Sequence, residues 1–161
     1  KVMVPFYKEF PTAEAISKLP LDYITERISS IGLYRNKAKN MLATSKLIVD
    51  LYGGEVPKSK KELVTLPGVG IKTANVVVSI CFGEPAIAVD THVFRVSNRL
   101  HLAQADNVGK TEEQLMRNIP KTLWADAHHW LIWHGRKLCK AQRPLCDECF
   151  LIDLCKFGTR K

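Results

Sequence analysis

The chain has no apolar run that could cross a membrane. A span needs about 18 consecutive apolar residues, and the best stretch, Val76 to Phe82, is broken by Ser79 and stopped by Gly83. Internal repeats and low-complexity tracts are also missing, which excludes solenoid and fibrous architectures. The first residues lack the charged, apolar and small-residue succession of a secretory signal, so an intracellular protein is expected, cytoplasmic and, in a bacterium, nucleoid-associated. Acidic residues are in deficit, with 16 Asp and Glu against 24 Lys and Arg and a net charge of +8. On 161 residues that surplus favours a polyanionic partner, nucleic acid before a membrane surface, over a merely well-solvated face.

A hydrophobic content of 46% is enough for a packed core and excludes a disordered tail. Apolar residues recur at helical spacing, as in Ala38, Met41, Leu42, Leu47, Ile48 and Leu51. The expected fold is therefore all-α, with helices at about 12–18, 20–29, 35–52, 59–65, 70–82, 90–101, 110–118 and 122–134. Ser59 and Glu62 have capping-box spacing, and Gly53 with Gly54 should end the long helix before them. After Gly135 the pattern gives way to cysteine, proline and charge. The expected organisation is a helical lobe over 1–134 and a metal-organised lobe over 135–161. Seven basic residues, Arg160 and Lys161 among them, stand against three acidic ones from Gly135 onward.

Leu66-Pro67-Gly68-Val69-Gly70-Ile71-Lys72 joins a short capped helix to a longer apolar one. Such a turn exposes backbone amides next to the positive end of a helix dipole, so Gly68, Val69 and Gly70 are candidate phosphate contacts. A short Gly-x-Gly alone more often only reverses the chain, but helix, Pro-Gly-x-Gly and helix in a basic chain resembles a helix-hairpin-helix motif over about 59–82. Lys72 falls in the first turn of the second helix, where the dipole opposes an ammonium. As a free amine it could form a Schiff base or displace a base at an anomeric carbon. Asp90 ends the apolar approach Ala88-Val89 at a helix start. It can cap that helix and also steady positive charge or carry protons beside the amine.

Cys139, Cys146, Cys149 and Cys155 form C-x6-C-x2-C-x5-C within 17 residues. With no secretory signal, a metal site is favoured over disulfides. Only one close pair is present, which suits a [4Fe-4S] cluster, although spacing leaves zinc open. Lys140 and Arg143 lie between the first two cysteines and could dock on a phosphate. Cys81, on an apolar helical face, is expected to be buried.

Four segments together, LPGVGIKTANVV, AIAVDTHVFRVSNR, HHWLIWHGR and the cysteine ending, resemble the endonuclease III family of DNA repair glycosylases along nearly the whole chain. The resemblance implies a helix-hairpin-helix glycosylase fold, Lys72 as the Schiff-base nucleophile and Asp90 as the catalytic carboxylate. Gly68–Gly70 would be the phosphate-binding hairpin, and the four cysteines would hold a [4Fe-4S] cluster. Leu33, in Ile31-Gly32-Leu33-Tyr34, would be the loop leucine inserted into the base stack. The implied activity is removal of an oxidised pyrimidine from duplex DNA, then β-elimination at the abasic site, by a monomer. Adenine and mismatch-thymine glycosylases share the hairpin, aspartate and cluster but lack the lysine; 8-oxoguanine glycosylases keep the lysine and usually lack the cluster. Measured against the family, the first helices and a glutamine-bearing loop have no counterpart here. An N-terminally truncated chain with weak or absent glycosylase activity is therefore expected. The alternatives are a non-catalytic DNA-binding module with a structural metal cluster and a zinc-stabilised structural protein.

Overall fold

A computed structural model describes residues 2–158. Arg160 and Lys161 of the basic stretch lie outside the described residues, as does Lys1. Among the described residues the regular structure is entirely helical, and no helix is long and apolar enough to cross a membrane. The chain packs as two units, residues 1–70 and 71–161, so the cysteine-bearing segment after Gly135 falls within the second.

The first unit holds α1 (Met3–Glu9), α2 (Ala13–Ser17), α3 (Leu21–Arg27), α4 (Tyr34–Tyr52) and α5 (Lys60–Leu63). Phe6, Ile16, Ile24, Ile28 and Ala38 form its core. Thr12 starts α2 by accepting the Ala15 amide at 3.1 Å, and Ser59 starts α5 by accepting the Glu62 amide at 3.2 Å. The expected box closes differently, because the Glu62 carboxylate takes the Ser59 hydroxyl, at 2.6 Å. Gly53 (φ +60°) and Gly54 (φ +90°) end α4 as their sequence suggests, the Gly54 amide reaching back to the Ile48 carbonyl. Helix α1 precedes the first helix expected from the sequence. Pro5 lies in the first turn, where a missing N–H leaves no helical bond unmade.

The second unit holds α6 (Ile71–Phe82), α7 (Thr91–Arg99), α8 (Val108–Asn118) and α9 (Trp124–Lys137), with single 3-10 turns at Lys121–Leu123, Cys146–Glu148 and Ile152–Leu154. Its core is built on Ile87, Val89, Val93, Val96, Leu115, Trp124 and Leu131. Helices α7 and α9 approach closely at Gly135, where an added Cβ would lie 3.0 Å from Val96 Cγ2 and 3.1 Å from His92 Cβ. Cys81 is exposed, contrary to expectation. The buried residues of α6 are Ala74, Asn75 and Val78, and Cys81 lies beyond them in the last turn.

Candidate glycosylase site and cluster loop

The hairpin turn is made by residues 66–69. The Val69 amide bonds the Leu66 carbonyl at 3.0 Å, with proline at the second position and Gly68 at φ +76° in the third, the pattern of a type II turn. Thr44 Oγ1 donates to the Pro67 carbonyl at 2.8 Å. A Cβ on Gly68 would stand 2.5 Å from Asn40 Nδ2, so both conformation and space require glycine there. Gly70 does not share that requirement: an added Cβ meets nothing within 4 Å, and its φ is not positive.

Lys72 is exposed in the first turn of α6, and Asp90 is half-buried at the N-cap of α7. Both line one open cleft of about 770 Å³ in the second unit, together with His92, Phe94, Asp106 and Arg136. The amides of His92 and Val93 both donate to Asp90 Oδ1 at 2.8 Å. Capping thus consumes one carboxylate oxygen and leaves Oδ2 without a hydrogen bond among the described residues.

Two buried side chains that the sequence did not flag stand behind the pair. His128, on α9, places Nδ1 2.7 Å from the Ala88 carbonyl. Asn75, one turn after Lys72 on α6, donates Nδ2 to the Ile87 carbonyl at 3.2 Å. Burial holds the His128 imidazole below the ordinary histidine range; the bond to Ala88 opposes the shift, His129 adds to it, and Asp90 and Lys72 act on it with opposite signs.

Leu33 caps α4 in the left-handed conformation, φ 59° and ψ 31°, with 78% of its surface exposed. A left-handed leucine costs about 1–2 kcal/mol. Only His101 and Arg143 share positive φ among the described non-glycine residues. Arg143 and Lys140 are both exposed in the cysteine loop.

Cys139, Cys146, Cys149 and Cys155 line a single pocket with Leu100, Leu138, Leu145 and Ile152. Four cysteine sulfurs around one apolar pocket are a donor set that suits a [4Fe-4S] cluster. Helix α7 holds this loop. Arg95 Nε donates to the Cys139 carbonyl at 3.2 Å and its Nη2 to the Gly135 carbonyl at 3.0 Å. Arg99 donates to the carbonyls of Lys140 (2.7 Å) and Ala141 (3.1 Å), and its Nη1 lies 3.4 Å from Cys139 Sγ. The arginines are four residues apart on α7, and that spacing was the one sequence signal that could have exposed them.

Residues 1–121 match the HhH-GPD superfamily of base excision DNA repair proteins, and residues 139–155 match the iron-sulfur binding domain of endonuclease III. The class is thus a helix-hairpin-helix repair protein with an iron-sulfur loop. The chain is 52% identical to endonuclease III of Bacillus subtilis, over 100% of its own length and 74% of the relative's. With endonuclease III of Escherichia coli (strain K12) the identity is 43%, over 99% and 76%. A solved structure of a trapped endonuclease III–DNA covalent intermediate superposes with a TM-score of 0.93 at 48% identity, covering 99% of this chain and 75% of that one. A thermostable thymine-DNA glycosylase gives 0.89 at 27%, over 99% and 76%. The chain belongs to the endonuclease III family.

Proposed function

We propose that Lys72 and Asp90 carry the chemistry of this chain, a bifunctional DNA glycosylase and abasic-site lyase of base excision repair. The observation that supports the assignment most strongly is their common position on one open cleft of the second unit, with Asp90 Oδ2 left over after capping. The Lys72 amine attacks C1′ of the damaged nucleotide, the glycosidic bond breaks, and the base departs with a proton. Ring opening gives a Schiff base. Its iminium makes the C2′ proton acidic, and loss of that proton expels the 3′ phosphate by β-elimination; water then releases the lysine. Asp90 steadies the positive charge that builds on the sugar and serves the proton transfers. The nucleotide must first leave the stack, because C1′ cannot be reached inside the duplex.

Oxidised pyrimidines are the proposed substrates, in keeping with the lysine-bearing branch the sequence resembles. Leu33 is the proposed wedge that fills the stack. It is exposed and held in a costly conformation, and such strain persists where function requires it. Gly68 and Gly70 offer backbone amides to a phosphate, the Val69 amide being taken by the Leu66 carbonyl within the turn, and Lys140 and Arg143 contribute charge from the cluster loop. The cofactor is a [4Fe-4S] cluster, for which Cys139, Cys146, Cys149 and Cys155 are the ligands. When bound it supplies an iron–thiolate core around which that loop is fixed. Borohydride trapping on a duplex carrying one abasic site tests the reading, since it needs only the Schiff base and not release of a damaged base. Covalent trapping, lost in Lys72→Ala, is expected; binding without trapping would instead mark a non-catalytic DNA-binding module.

A further inference from the structure

Asp90 reaches its cleft at the end of a segment, residues 83–90, that belongs to no helix. Nothing in regular secondary structure fixes its register. Its last carbonyls before Val89 and Asp90 are each taken by a buried side chain from a different helix: Ile87 by Asn75 of α6 and Ala88 by His128 of α9. A carbonyl can only accept, so His128 must carry its proton on Nδ1. Asn75 is 1% exposed and His128 7%. Asn75 keeps this position although its Oδ1 has no partner among the described residues, so burial for its own sake does not explain it. The helix that supplies Asn75 also supplies Lys72 three residues earlier. The two hydrogen bonds therefore tie the nucleophile's helix and the carboxylate's approach to a common frame.

We propose that Asn75 and His128 are positioning residues that set the placement of Asp90 relative to Lys72 by clamping the Ile87 and Ala88 carbonyls. Neither lines the cleft that holds the pair, so both act through the backbone without touching DNA. The inference rests on the assignment of Lys72 and Asp90 above. Misplacement of a reacting group by about an ångström costs up to roughly 100-fold in rate, which sets the scale of the effect expected when a clamp is removed.

The test uses single-turnover borohydride trapping on a duplex with one abasic site, alongside the dissociation constant for the same duplex. His128→Phe and Asn75→Leu keep bulk and remove the donor. Both should trap about 10- to 100-fold more slowly while affinity changes by less than about threefold. His128→Asn can place an amide N–H where Nδ1 stood and should stay within about threefold of the parent. His128→Gln places its amide toward the Nε2 position and should be as slow as His128→Phe. This Asn and Gln pair decides the matter even where Phe or Leu prevents folding, since both are polar and of similar size. Equal trapping rates in folded Asn and Gln variants overturn the clamp, as does parental trapping by Asn75→Leu. Failure of the underlying assignment is distinguishable, because then the parent does not trap or Lys72→Ala traps undiminished.

Discussion

Arg99 reaches from α7 to Cys139, with Nη1 3.4 Å from the sulfur and both Nη groups on the carbonyls of Lys140 and Ala141. One guanidinium thus satisfies the first turn of the cysteine loop and places positive charge beside a sulfur proposed as a cluster ligand. The planar fork is what allows one side chain to serve several acceptors, and lysine cannot reproduce it. Arg99→Lys is expected to leave the helices folded and to shed iron at least several-fold faster under a chelator, read as decay of the cluster's visible absorbance. Decay at the parental rate would show that the loop is held by other means.

Leu33 invites a trade between stability and function. Its left-handed backbone costs about 1–2 kcal/mol, whereas glycine adds only about 0.5–1 kcal/mol of chain entropy to be lost on folding. Leu33→Gly should therefore be more stable than the parent by up to about 1 kcal/mol in denaturant titration. Base release should slow by about tenfold or more, since nothing then fills the stack when the nucleotide leaves. A variant that is more stable and equally fast removes Leu33 from the DNA interface.

Gly68→Ala places a methyl group against Asn40 in a backbone conformation that disfavours alanine. The combined strain should cost about 1–3 kcal/mol, lowering the melting temperature by several degrees for a chain of this size. Gly70→Ala meets open space and no positive φ, so it should leave stability nearly unchanged and weaken DNA binding alone. Calorimetry beside a binding titration separates the two glycines.

His128 makes stability depend on pH with a defined sign. Burial lowers its folded value below the unfolded one, so the unfolded chain takes up the extra proton first. The contribution is fully present above the unfolded value of about 6.5 and is lost progressively as pH falls below it. His128→Asn should flatten the decline in melting temperature between about pH 7.5 and 5. An unchanged slope would place the titrating group elsewhere.

Much of this architecture is written locally. The caps Asp90 and Ser59, the glycines ending α4 and the apolar spacing of α6 each act within a few residues, so the sequence displays them. The proposed roles of Lys72, Asp90 and the four cysteines likewise rest on residue type and spacing, which the sequence displays. Asn75, His128, Arg95 and Arg99 were not legible because their partners are main-chain carbonyls, which every residue carries; His128 and Ala88 are 40 positions apart. Exposure of Cys81 escaped for a related reason: periodicity assigns a face to a residue but does not say how far along the helix that face stays covered.

The proposed chemistry requires the Lys72 amine to bond to the deoxyribose. Borohydride reduction on abasic-site duplex, followed by digestion and mass mapping of the adduct, tests it directly. A sugar adduct on the peptide carrying Lys72 is expected, with its disappearance in Lys72→Ala. An adduct mapped to a different amine, or undiminished trapping by the alanine variant, contradicts it.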